Sequence, residues 1–585
     1  EINQKAEIIL GDASQLQAKR IRLNALTEGL ATRTDGTLEG TELARIDLGA
    51  ASLESTGGGV HVLAETATRY RSQGVLAGNT VTADAEVIAD QATLNATGGP
   101  LRVISKQSVV LNAGTPESFD WAGAGLAFNR LDADARLTLS QTDLIADAGG
   151  IDAVIEYAPS LSARVEAVAV DAGSLPVDLP AELPAFAANG LAAVNALNGV
   201  ARITIEGGEW GTSDQGDVRL FNESTARLNA RVDGGSQAGA SAAIALNTIG
   251  WKADSLWTLG ADALFTALPV EAASPLDVVV STTETRWDVS GDLRIEAVSA
   301  PRLTADQATT TARNDDGLGF GLLLASNIGN ISLAVDVDLE SDYTQLVGGE
   351  FLILAADASE VQSSTSLSVQ STATAGLGAL ITRNALDHDV AVTLNNTALE
   401  VGGDIRILAR STALISASLE GKQPAVGGET TGVGFSGLAA SNTLRAQVAV
   451  NIADSTLDTG GDLVVDARNS ADLRATNSAS ARGGDSAVTG MLAFNLMGWR
   501  PQSLLSSSLD ALLGSELGAE IPVNTRVVVR DSELQAQGEL QIGAQSEQSL
   551  SSIFTAVAEA GEAGSAAGVV LASNLISART RGQLE

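Results

Sequence analysis

A short phrase ending in asparagine recurs eight times in this sequence, always embedded in residues that alternate between apolar and polar. It reads Gly321-Leu-Leu-Leu-Ala-Ser-Asn327 in one place, Gly378-Ala-Leu-Ile-Thr-Arg-Asn384 in the next and Ser436-Gly-Leu-Ala-Ala-Ser-Asn442 in a third. The other copies end at Asn129, Asn195, Asn247, Asn495 and Asn574, and the longest intervals are those that end at Asn327 and at Asn574. A unit of about 52 to 58 residues, lengthened in places by insertions, is the kind of self-similarity that marks a repeat architecture.

Within a unit the hydrophobic period is two. From Leu438 the even positions run Leu438, Ala440, Asn442, Leu444, Ala446, Val448, Val450 and Ile452, while the intervening residues are mostly polar or small. Alternation of that length means strands with one face buried. A second phrase follows each time, a Gly-rich turn and an acid leading into another alternating run, as in Leu399-Glu-Val-Gly-Gly-Asp-Ile-Arg-Ile407 and Leu457-Asp-Thr-Gly-Gly-Asp-Leu-Val-Val465. No unit of this kind buries its apolar face alone, so neighbours must stack, and the expected fold is all-β: a parallel β-solenoid, or β-helix, of stacked repeats. A sandwich or propeller is the competing architecture, and the small core residues argue against it. Relatives of the second phrase at Leu53 and Leu94 follow one another at a shorter interval. Residues 1–120 therefore read as shorter-period coils and 121–585 as long-period repeats.

Composition narrows the rest. Hydrophobic residues make up 44% of the 585 but aromatics only 3%, so the core must be built from Ala, Val, Leu and Ile. Thirty-five basic against 71 acidic side chains leave a net charge of −36, which repels phosphate backbones and anionic lipid. Nucleic acid is not an expected partner. Cysteine is absent, which excludes disulfides and thiol chemistry and suits passage through a secretion channel. No apolar run reaches the length of a bilayer span. The chain opens at Glu1 and closes at Glu585 partway through a repeat, which reads as a segment of a larger polypeptide.

The asparagine of the first phrase sits on the apolar parity in every copy, between Ala127 and Leu131 in one and between Ala440 and Leu444 in another. An amide buried there costs about 1–3 kcal/mol if unpaired. Asn129, Asn195, Asn247, Asn327, Asn384, Asn442, Asn495 and Asn574 are thus expected to form a structural row, bonded along the solenoid axis or to a turn backbone. Two arrangements fit the spacing. If one unit is one wide coil, consecutive asparagines stack directly, about 4.8 Å apart. If a unit is three coils of about 19 residues, they lie three spacings apart and cannot touch.

The long intervals carry insertions of a different character. Leu256, Leu259, Ala263, Leu264 and Leu268 fall at helical spacing, as do Leu505, Leu509, Leu512, Leu513 and Leu517, with Pro269 and Pro522 as stops. Two short amphipathic helices are expected, near 252–275 and 500–522, each shielding an edge of the solenoid. Trp251, Trp257 and Trp499 would anchor them or dock a partner chain. A third insertion near 174–190, with prolines at 176, 180 and 184, reads as an extended loop.

Catalytic chemistry finds little purchase. His61 and His388 are the only histidines, and His388 lies on the apolar parity of its strand, where a satisfied core histidine is expected. Sequence spacing assembles no metal site and no Ser/His/Asp arrangement from them. The acids after the Gly turns, Asp217, Asp292, Glu350, Asp404, Asp462 and Glu539, hold equivalent places. Aligned along one edge they would repel unless a cation bridged them, and calcium is the one cofactor this row suggests. Asp also commonly caps such turns without a metal.

The run Ala-x-Asn-x-Leu, an apolar strand, then Gly-Gly-Asp-Leu-x-Val-x-Ala resembles giant secreted adhesins of Gram-negative bacteria, the filamentous-haemagglutinin-like and leukotoxin-type proteins. The resemblance covers roughly 121–585, with haemagglutinin-like coils before it. It implies a right-handed parallel β-helix, export by a type V or type I route, and a place on the bacterial cell surface or in the extracellular space. The expected role is a non-enzymatic stalk or scaffold whose contacts with a host or neighbouring cell, or with matrix, are made by other parts of the full-length chain. A self-assembling filament or matrix protein is the alternative, and a carbohydrate-active β-helix enzyme a weaker one.

Overall fold

The structure is a computed structural model that describes every residue except 1, 12, 35, 116–124, 170–189, 237–239, 251–274, 314–317, 340–341, 372–374, 423–432, 484, 500–519 and 563. The described strands stack into three sheets of 14, 14 and 10 strands, here called A, C and B, and every strand pairing is parallel. The chain is an all-β parallel solenoid.

One repeat makes one coil. A strand of sheet A such as Ala375–Asn395 turns into a short strand of sheet B, Ala398–Val401, and then into sheet C as Ile405–Lys422. The next sheet A strand, Val433–Ala453, lies beside the first in register, with Asn384 opposite Asn442. Of the two arrangements the spacing allowed, the wide coil is the one formed. Sheet B holds ten strands, one per coil. A strand as long as Ala375–Asn395, at about 3.3 Å per residue, spans about 70 Å, so the coils are broad and flat, two long sheets facing each other with sheet B closing one end.

Coil size changes within this single stack. Ile2 pairs with Gly40, Gly36 with Ala77 and Leu76 with Leu126, so each successive step along the chain is longer than the one before until the long repeats begin. The sheet C strand grows accordingly, from 13 residues in Ile21–Arg33 to 21 residues in Leu540–Ala560.

The corner between sheets A and B has a local cause that sequence inspection missed. One residue there takes a left-handed conformation: Gln141 (φ 46°), Glu284 (φ 52°), Asn396 (φ 49°), Asp454 (φ 50°) and Asp531 (φ 47°). The next residue is Thr or Ser, and its hydroxyl donates back to the carbonyl two residues earlier, as Thr397 does to Asn395 at 2.7 Å and Ser455 to Ala453 at 2.7 Å. Left-handed backbone costs a non-glycine residue roughly 1–2 kcal/mol, and this bond helps fix it. At the opposite corner, between B and C, the glycines serve close stacking. A Cβ on Gly403 would stand 2.8 Å from the carbonyl oxygen of Gly349 on the preceding coil.

The helices expected near 252–275 and 500–522 and the loop near 174–190 fall almost wholly outside the described residues, and no described residue is helical. Trp251 and Trp257 lie there too. Trp499 is described, and it meets Glu520 in an isolated antiparallel bridge.

Candidate functional site

The asparagine row is a continuous ladder with a direction. The Nδ2 of Asn129 donates to Oδ1 of Asn195 at 2.9 Å, and the same bond links Asn195 to Asn247 (2.9 Å), Asn247 to Asn327 (2.8 Å), Asn327 to Asn384 (3.0 Å), Asn384 to Asn442 (3.0 Å), Asn442 to Asn495 (2.9 Å) and Asn495 to Asn574 (2.8 Å). A ninth member, Asn79, precedes them and donates to Asn129 at 2.7 Å. Its phrase, Leu76-Ala-Gly-Asn79, has the same pattern as the others but sits among the shorter coils, where the long period does not point to it.

The second Nδ2 proton crosses the coil. Asn129 donates to the carbonyl of Ser162 on sheet C at 2.8 Å, Asn327 to that of Gln362 at 2.7 Å, Asn384 to that of Ser416 at 2.9 Å and Asn442 to that of Arg474 at 2.9 Å. The row thus bonds along the axis and also clamps sheet A to sheet C. It divides the interior in two: Ala127, Ala193, Ala245, Ala325, Ala440 and Ala493 pack in a thin compartment on one side. Leu131, Leu197, Ile249, Leu386, Leu444 and Met497 begin the wide compartment that runs to sheet B. From Asn79 to Asn495 the amides are fully buried, while Asn574 stands on the open edge of the last coil.

The acidic row is also brought into line. The N–H of Asp292 donates to the carboxylate of Asp217 at 2.9 Å, that of Glu350 to Asp292 at 2.9 Å, that of Asp462 to Asp404 at 3.0 Å and that of Glu539 to Asp462 at 2.8 Å. Arg294 caps Asp292 at 3.0 Å and Arg406 caps Asp404 at 2.8 Å. Backbone donors and intervening arginines therefore offset the repulsion that a cation would otherwise relieve. Among the described residues no three His, Asp or Glu side chains converge in a metal-holding group.

A Ser/His/Asp arrangement exists after all, and its parts come from separate strands of two sheets. Ser411 Oγ lies 2.9 Å from His388 Nε2, and His388 Nδ1 lies 3.4 Å from the Asp357 carboxylate. Asp357 and Ser411 are register neighbours on successive strands of sheet C, a whole coil apart in sequence, and His388 faces them from sheet A. No local spacing could reveal this. His388, Asp357 and Ser411 are 1%, 3% and 2% exposed, sealed in the wide compartment, so the order of atoms is that of a hydrolase triad but no substrate reaches it. Within the cluster Ser411 bonds His388, while the Asp357 carboxylate is held by the Ser359 hydroxyl at 2.8 and 3.0 Å.

Other buried groups follow the same logic. Tyr70 donates to the Glu42 carboxylate, whose pKa is raised by burial, and Gly40 leaves room for the ring. On the outer face of sheet A, burial together with Asp134 and Glu86 pushes the Asp84 carboxyl up to about 6. Trp210 and Trp287 replace leucine at the sheet B corner, with ring centroids 5.0 Å apart.

Comparison with protein-family models, with curated proteins and with solved structures finds no match to this chain. No described helix is long and apolar enough to cross a membrane.

Proposed function

We propose that this chain is a structural scaffold segment of a large secreted bacterial surface adhesin, non-enzymatic in itself. One observation carries the structural reading: an unbroken, in-register stack in which every long repeat adds one coil and one rung to a buried amide ladder. The row of interior asparagines is spent on that ladder and on contacts between sheets, and the Ser411–His388–Asp357 cluster is closed to solvent. Each axial step of about 4.8 Å consumes an entire repeat, which favours broad flat faces over reach. The surface location and the adhesive context rest on the likeness of the repeat phrases to secreted adhesins.

A self-assembling filament, in which further copies stack along the same axis, is the alternative reading. Sedimentation velocity of the chain alone tests this. The scaffold reading expects a discrete species of fixed size across a wide concentration range; fibres that lengthen with concentration would replace it with the filament.

A further inference from the structure

One interior column of sheet C is polar at every coil. In register it runs Thr27, Thr66, Gln107, Tyr157, Ser224, Ser299, Asp357, Ser411, Asn469 and Ser546, all facing the wide compartment. The neighbouring inward columns are mostly apolar, with Ser105 and Asn222 on one side and Thr68 and Ser359 on the other as buried polar exceptions, whereas this position is polar in all ten coils. Four members have protein partners: Thr66 donates to the carbonyl of Asp84, Asp357 and Ser411 join His388, and Ser546 accepts from Gln548. Thr27, Gln107, Tyr157, Ser224, Ser299 and Asn469 are each at most 3% exposed, and their side-chain polar atoms meet no protein donor or acceptor.

The coil spacing explains why. An asparagine amide is long enough to bridge about 4.8 Å to its neighbour, and the Asn79–Asn574 ladder does so. A serine or tyrosine hydroxyl at that spacing is too far from the next one, because a direct bond needs about 2.8 Å. A single water between them stands about 2.8 Å from both. Small residues, Ala83, Ala133 and Gly199, occupy the column opposite before Leu276 and Ile331 follow, and the Tyr157 hydroxyl reaches across to the space that a Cβ on Gly199 would fill.

We propose that the wide compartment holds a file of ordered internal water along this column, bound between successive coils by Gln107, Tyr157, Ser224 and Ser299. The dry amide ladder and the wet hydroxyl seam are then two solutions to one spacing. Buried water of this kind is an integral part of a fold and costly to remove.

The test uses the full chain with Tyr157→Phe and, separately, Ser299→Ala, each of which deletes one hydroxyl and little else. Where a hydroxyl holds bridging water, its loss strands that water and lowers the melting temperature by on the order of 1–3 °C. Where the hydroxyl is dry and unpaired, its loss relieves an unpaired polar group, and the melting temperature rises or stays level. Crystals diffracting to high resolution supply the direct reading. Solvent peaks within hydrogen-bond distance of Ser224 and Ser299 support the file; an interior free of such peaks along the column, or melting temperatures that rise or do not move in both variants, overturns it.

Discussion

Asn442 donates through one amide proton to the side chain of Asn495 at 2.9 Å, and through the other to the carbonyl of Arg474 at 2.9 Å. It also accepts from Asn384 at 3.0 Å. A single buried side chain thus joins three consecutive coils and both long sheets. Asn442→Leu removes all three bonds and leaves the Asn384 donor unpaired, so it is expected to destabilise by about 1–3 kcal/mol. Hydrogen exchange should rise in the coils on either side and not at the distant ends. A melt and exchange pattern equal to the parent would contradict the ladder.

The acidic row is expected to ignore calcium. Asp217, Asp292, Asp404 and Asp462 each already accept a backbone N–H, and Asp404 also carries Arg406. Titrating calcium to millimolar concentration should leave the melting temperature in place. Asp404→Asn keeps the acceptor and should be tolerated, whereas Asp404→Ala loses it and should lower stability by up to about 1 kcal/mol at this half-buried site. A calcium-dependent rise in melting temperature would restore the metal reading.

Asp84 makes the fold sensitive to pH in a stated direction. Its folded pKa, about 6, lies above the ordinary value of 3.8, so the folded chain holds this proton more tightly than the unfolded chain. That contribution favours folding below the ordinary value and is lost as pH rises through about 6. Asp84→Asn should therefore raise the melting temperature at neutral pH and change it little in mild acid, near the ordinary carboxylate value. Equal shifts under both conditions would refute the assignment.

The buried Ser411–His388–Asp357 cluster should behave as packing and not as a nucleophile. A serine-directed fluorophosphonate should leave Ser411 unlabelled. His388→Ile, which installs the residue found at the equivalent Ile331, should by itself cost about 1–3 kcal/mol because Ser411 loses its bonded partner in the core while Asp357 keeps the Ser359 hydroxyl. Adding Asp357→Ser, the residue found at the equivalent Ser299, should recover most of that loss. Failure of the double variant to recover would mean the cluster does something beyond satisfying itself.

What could be read from the sequence divides by range. The alternation around Leu438–Ile452 fixes which side chains face inward, and the common parity of the asparagines points to a row, because a buried amide must be bonded. The width of the coil was not readable: a unit of one coil or of three has the same alternation, and only the register of Asn384 on Asn442 separates them. Asn79 was missed because it falls among the shorter coils and its neighbours are glycine and threonine. The Thr397 and Ser455 corners were local enough to find, but their signal lies in a left-handed residue that is Gln, Glu, Asn or Asp from coil to coil, a class shared with ordinary turns. The His388 cluster and the polar column of sheet C depend on pairings a full coil apart in sequence, such as Gln107 with Tyr157 and Ser224 with Ser299, which no local pattern encodes.

The central claim, that each repeat is one coil stacked directly on the last, is tested most directly by spin labels on register partners of the outer face. The chain has no cysteine, so Thr393→Cys and Asn451→Cys place labels on adjacent strands of sheet A without competing sites. One coil per repeat puts the two backbones about 4.8 Å apart, and the doubly labelled chain should show strong dipolar and exchange broadening absent from either single variant. Sharp lines, with a measured separation of about 14 Å or more, three strand spacings, would contradict it.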